Sequence, residues 1–199
     1  MAFLESLYDK GQMQMTEPSD RRARRRIRRT FDLVVADGMR ADAVAGASAE
    51  QLRAWAVSQG VSQLPAAVAE VFGLLGVQQG PWWYGCTAAI SRLDEEMKEI
   101  ALECLESASG ELADSRGMLL LLTRGGHEFH VVDGVDVGQD DPPVWRIVEG
   151  DPIDRHWNGV TAWFDSAAAA VRAMREQVRR AAEKDQDGHV LALQQFFRS

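Results

Sequence analysis

The residues best able to do chemistry in this 199-residue chain are the run His127-Glu128-Phe129-His130 with Asp133 behind it, and Cys86, which follows a glycine. In a strand, alternate side chains share a face, so Glu128 and His130 stand together while His127 points away. Two donors on one face fall short of the three or four converging ligands that a metal centre needs. No metal or other cofactor is therefore expected. Cys86 is placed where a nucleophile could be presented, but no histidine and acid pair with it by spacing, and a small thiol more commonly fills a core. The stretch Gly76–Gly85 has no Lys-Ser or Lys-Thr after its glycines, so it is no phosphate loop. The expectation is a protein that binds rather than catalyses.

The candidates for binding are aromatic and acidic. Trp82, Trp83 and Tyr84 fall in the Gly- and Pro-rich stretch 76–85 and read either as contact anchors or as side chains folded inward. Asp140 and Asp141 precede Pro142, where they can meet a basic partner or simply start a turn. Trp145 alternates with Val144 and Arg146, and the core face is its better placement. With Glu128 and Glu149 these residues make up the candidate partner-binding set.

Charge is unevenly distributed. Residues 1–60 hold 10 Lys/Arg and 8 Asp/Glu, which leaves 12 basic and 22 acidic residues in the remainder and a net charge of −8 for the whole. Such a body steers toward basic proteins and repels nucleic acid. Seven arginines lie within Arg21–Arg29. They could attract phosphates or an acidic surface of the same chain, but no aromatic side chains interleave with them for base stacking.

A composition of 46% hydrophobic and 26% charged residues is that of an ordinary globular protein. The longest apolar run, Met118–Leu122, is far below the roughly 18 residues of a spanning helix. The first residues carry Glu5 and Asp9 and lack the cationic start of a secretory signal, so cytoplasmic residence is expected. Cys86 and Cys104, 18 positions apart, match no common zinc spacing and no disulfide framework. Met13 and Met15 stand just ahead of the first helix, so residues 1–14 read either as a disordered leader or as a translation-start artefact.

The periodicity predicts a helix capped by Ser19 or Asp20, with Ile27, Phe31, Val34 and Val35 on one face and Gly38 at its end. Ser48 and Gln51 form a capping box for a second helix that stops at Gly60. Pro65 opens a third, striped by Val68, Val71, Phe72 and Leu75. A fourth begins near Ser91 or Asp94, buries Leu93, Met97, Ala101 and Cys104, and turns its carboxylates over 94–106 to solvent. Two apolar runs about Arg124-Gly125-Gly126 read as a hairpin whose first strand, apolar on both faces, should be central. A strand at Val144–Val148, a return toward the core over Asn158–Phe164, a long helix over Ser166–Lys184, a break at Asp187-Gly188 and a short helix over His189–Phe197 complete the chain. The pattern is an α+β fold: N-terminal helices, a mostly antiparallel twisted sheet packed on helices, and a long C-terminal helix. Residues 1–59 read as a helical extension and 60–199 as the main domain.

Leu64-Pro-Ala-Ala-Val-Ala-Glu-Val-Phe-Gly-Leu-Leu-Gly resembles the early Leu-Pro helix of the SUKH superfamily, which unites bacterial immunity proteins with fungal regulators of cell-wall synthesis. Met118–Phe129 resembles the family's paired strands about a polar-glycine turn, Asp140–Gly150 its acidic Pro-Val approach to a strand, and Trp163-Phe-Asp-Ser the opening of its last helix. The resemblance spans about residues 60–181. It implies a non-catalytic immunity protein with no shared catalytic motif, which neutralises a cognate toxin such as a nuclease by binding and occlusion; whether the chain is a monomer or a homodimer is left open by the sequence. The alternative is a scaffold or regulatory module of the same fold, docked through its arginine helix to a protein or nucleic acid.

Overall fold

The computed structural model describes residues 17–183 and 192–198. The leader over 1–14 and the break at Asp187-Gly188 lie outside the described residues. Helix α1 spans Ser19–Ala36, with Ala23, Ile27 and Val34 buried and Gly38 in a left-handed conformation just past its end. Pro18, not Ser19 or Asp20, occupies the cap position, and the Ser19 hydroxyl instead donates to Asp140. Helix α2, Ala49–Ser58, carries the full capping box between Ser48 and Gln51. Helix α3, Ala66–Leu75, buries Val68, Val71, Phe72 and Leu75 on the expected stripe. Helix α4 spans Glu95–Ser107, and its cap Asp94 accepts from the Met97 amide at 3.0 Å.

Strands β1 (Leu119–Arg124), β2 (Glu128–Val132), β3 (Val144–Val148) and β4 (Asp154–Trp157) form an antiparallel meander in that spatial order. Strand β1 is thus an edge strand, not the central strand that its apolar run suggested. Its edge is closed by other means: the Leu120 amide donates to the buried Gln59 side chain at 3.1 Å, and Thr123 exchanges backbone hydrogen bonds with Thr87. An irregularity between Leu120 and Leu122 adds one residue to the ladder. Two-sided burial reflects covering layers and a sealed edge, not position within the sheet.

Helix α5, Val160–Glu183, starts where a return to the core was expected, six residues before the predicted helix, and β4 precedes it. Its first turn is capped from elsewhere in the chain. Asp141 accepts from the Thr161 amide at 2.9 Å and the Thr161 hydroxyl at 2.6 Å. A Cβ on Gly159 would stand 2.9 Å from that carboxylate, so glycine is needed for the approach. Helices α1, α3 and α5 pack on one another, α4 packs against β3, and a five-residue 3-10 turn at Ala192–Phe196 stands in place of a last helix.

Ala23, Ile27, Val34, Trp55 and Ala56 belong to the same core as Phe72, Phe129 and Phe164. The boundary at residues 59/60 therefore marks no break in packing, and α1 is not a detachable arm. Ile27→Ala is expected to lower stability by about 2–4 kcal/mol through the cavity left, whereas Arg25→Ala, at an exposed site, should change it by less than about 1 kcal/mol. Urea unfolding followed by tryptophan fluorescence measures both.

Candidate protein-binding surface

The 76–85 loop is irregular, as its composition demands, yet it is tightly held. The Gln79 side-chain amide donates to the Trp82 carbonyl at 2.8 Å and the Cys86 carbonyl at 3.0 Å, and its oxygen accepts from the Ala88 amide at 2.7 Å. This internal bracing turns the two tryptophans inward. Trp82 is fully buried, stacked on Phe164 at 4.3 Å and facing Phe31 at 6.1 Å, with its indole nitrogen 3.2 Å from the Met39 sulfur. It is a core residue, and the expectation of a contact anchor is corrected. Trp83 is half-buried, with φ +46°, and its ring stacks on Trp163 at 4.3 Å. The left-handed backbone costs about 1–2 kcal/mol in a non-glycine residue, which the stacked rings offset. Only Tyr84 of the three is exposed, at 48%.

Behind Trp163 lies the histidine of β2. Its indole N–H donates to His130 Nδ1 at 3.0 Å. An indole can only donate, so Nδ1 is unprotonated and the neutral ring carries its proton on Nε2, 3.3 Å from Glu128. Burial lowers the His130 pKa to about 4; hydrogen bonding and charge attraction from Glu128 oppose the shift, and His156 and Arg146 add to it. Glu128 and His130 do share a face, whereas His127 is exposed and its ring Nδ1 lies 3.2 Å from the Gly125 carbonyl. Glu128 is also 3.7 Å from Arg124, so this carboxylate is occupied within the chain. Burial raises the pKa of half-buried Cys86, against nearby Arg124 and with Glu128, which disfavours the thiolate a nucleophile requires. Cys104 is buried, and its pKa is raised by burial and by Glu149. Among the described residues no group of three or more His, Cys, Asp or Glu could hold a metal ion.

The two aspartates are clamps between helices. The Asp140 carboxylate accepts from Ser19 at the start of α1 and its carbonyl accepts from the Ala67 amide at 2.9 Å, while Asp141 caps α5. Trp145 is half-buried against the core, with its indole N–H enclosed and unpartnered among the described residues. Glu149 is exposed at the end of β3. The aromatic and acidic set of the sequence reading is therefore dispersed, with Tyr84 and Glu149 its outward members.

The arginines of α1 are largely spoken for. Arg24 and Arg28 meet Glu70 of α3, Arg26 meets Asp165 of α5 at 2.6 Å, and Arg25 meets Glu17 at 2.5 Å. Arg21, Arg22 and Arg29 make no ion pair among the described residues, Arg22 donating only to the Glu17 carbonyl at 3.4 Å. Helix α4 is the reverse case. Glu95, Glu96, Glu99, Glu103 and Glu106 are exposed, and none forms an ion pair among the described residues. The one cation of this helix, Lys98, turns inward, its ammonium donating to the Gln59 carbonyl at 2.6 Å. Burial lowers its pKa, while Asp114, Glu99 and Glu95 oppose that shift. Sequence reading treated these glutamates as a helix's solvent face; the run of acids was visible, but the absence of counter-ions required the fold. No helix among the described residues is long and apolar enough to cross a membrane.

No family model and no curated protein matches this chain.

Because His130 is depressed in the fold relative to an ordinary value near 6.5, its contribution is complete above about pH 6.5 and is lost as pH falls toward 4. Between about pH 7.5 and about pH 5.5 the loss should approach 1 kcal/mol. His130→Gln should flatten that dependence in urea midpoints taken at both pH values.

Proposed function

We propose that this chain is a non-catalytic binding protein of the SUKH immunity type, which neutralises a basic toxin domain, such as a nuclease, by covering it. The observation that carries the reading is the contrast between two helices. Four of the seven arginines over 21–29 are engaged by carboxylates of the same chain, whereas the glutamates of α4 face outward with no ion pair among the described residues. A surface of that kind supplies long-range steering toward a cationic protein and repels nucleic acid. The α+β architecture with a long C-terminal helix and the residue patterns at 64–76, 118–129, 140–150 and 163–166 support the same assignment. Docking through α1 to a nucleic acid has less support, because most of its guanidinium groups would first have to leave Glu17, Glu70 and Asp165.

The tagged full chain, recovered from its source cells, is expected to bring down one basic protein in equimolar amount, and co-expression should protect a cell from that protein's toxicity. Affinity should fall roughly tenfold or more from low to high ionic strength. Salt-independent affinity, or recovery of RNA and ribosomes in place of a single basic protein, would count against the reading.

A further inference from the structure

The C-terminal half of α4 and the segment that follows it enclose a groove of about 500 Å³. One wall is a ridge of Glu99, Glu103 and Glu106, spaced i, i+4 and i+7 so that the carboxylates follow one helix face. Glu111 stands on the other wall, the half-buried Leu102 and Leu105 contribute an apolar lining, and Arg116 is the one cation that lines it among the described residues. We propose that this groove is the docking site for a short amphipathic basic segment of a partner protein, its lysines or arginines set against the glutamate ridge and its apolar side chains against Leu102 and Leu105. The proposal rests on the protein-binding reading above and names the surface and the partner chemistry.

The second wall is built rather than loose. Asp133, 3% exposed, accepts from the Ala113 amide at 2.7 Å and the Asp114 amide at 2.8 Å, fixing the far end of the segment. Nearer α4, the Ile153 amide donates to the Ser109 carbonyl at 2.9 Å. Gly110, at φ +102°, lies so close to Ile153 that a Cβ would stand 2.9 Å from its side chain. A wall pinned at both ends need not be ordered on binding, which removes one cost of association.

Charge selects the occupant. The rim is acidic with one opposing arginine, and a second copy is a poor fit because the chain carries −8 overall and four of the seven arginines in its basic strip on α1 are already paired. Apolar lining beside the acids favours a segment with leucine-sized side chains over a purely cationic one.

The test is an amide NMR titration of the full chain with a synthetic peptide of lysines and leucines at helical spacing. Shift changes should concentrate in residues 99–116. Glu103→Lys with Glu106→Lys should weaken binding roughly tenfold or more, whereas Asp32→Lys with Glu50→Lys, an equal change of charge on α1 and α2, should weaken it less than about threefold. Lysines near the C-terminal end of a helix suit its dipole, and the spectrum itself reports whether either variant is folded. Equal weakening by both pairs, self-association in place of peptide binding, or shifts scattered over the acidic surface would overturn the groove. The toxin-protection assay separates the two readings: protection unchanged in the Glu103/Glu106 variant removes the groove and keeps the immunity function, while peptide capture in the groove without protection by the wild type keeps the groove and removes that function.

Discussion

The stacking of Phe31, Trp82 and Phe164, with Trp83 on Trp163 beside it, ties together three regions far apart in sequence. The rings come from three elements: Phe31 from α1, Trp82 and Trp83 from the 76–85 loop, and Trp163 and Phe164 from α5. Burying rings of this size provides much of what holds the N-terminal helix onto the domain. Trp163 then fixes the tautomer of His130, so the aromatic column also sets which ring nitrogen offers its proton to Glu128. The polar clamps work on the same joints. Ser19 to Asp140, Arg26 to Asp165 and Asp141 to Thr161 all bind the ends of α1 or α5 to segments distant in sequence.

The parts of the fold encoded by local pattern were legible. The Ser48–Gln51 capping box, the stripe of α3, the hairpin about Gly125-Gly126 and the shared face of Glu128 and His130 all follow from periodicity and short-range chemistry. Strand β4 was not legible, because Asp154-Arg155-His156-Trp157 has neither apolar alternation nor β-branched residues. The true start of α5 escaped for a different reason: its cap comes from Asp141, about twenty residues earlier, and no local window contains both partners. The site followed the same division. Clustering of aromatics in one loop was evident, but only the fold shows Trp82 turned inward and Tyr84 outward. The glutamates of α4 were visible as a solvated face, yet their lack of counter-ions depends on where the arginines of α1 find theirs.

These two helices divide the electrostatic labour of the chain. Internal ion pairs on α1 hold elements together at exposed positions, where each pair is worth little alone and gains from belonging to a network. The carboxylates of α4 add nothing of that sort and carry some mutual repulsion, particularly at i, i+4 spacing. A helix that retains such a face has its stability supplied by its buried side, through Ala101, Cys104 and the Asp94 cap.

Gln59 has a consequence beyond the packing of β1. One buried amide group accepts from the Leu120 amide and donates to the Leu93 carbonyl, so a leucine-rich strand offers little free backbone on its outer side. With that side sealed, the sheet's other margin is β4, four residues long and bearing Asp154, Arg155 and His156. A short charged margin is a poor template for another chain's strand. The apolar run Leu119–Leu122 is thereby kept from growing by strand addition for as long as the native state persists.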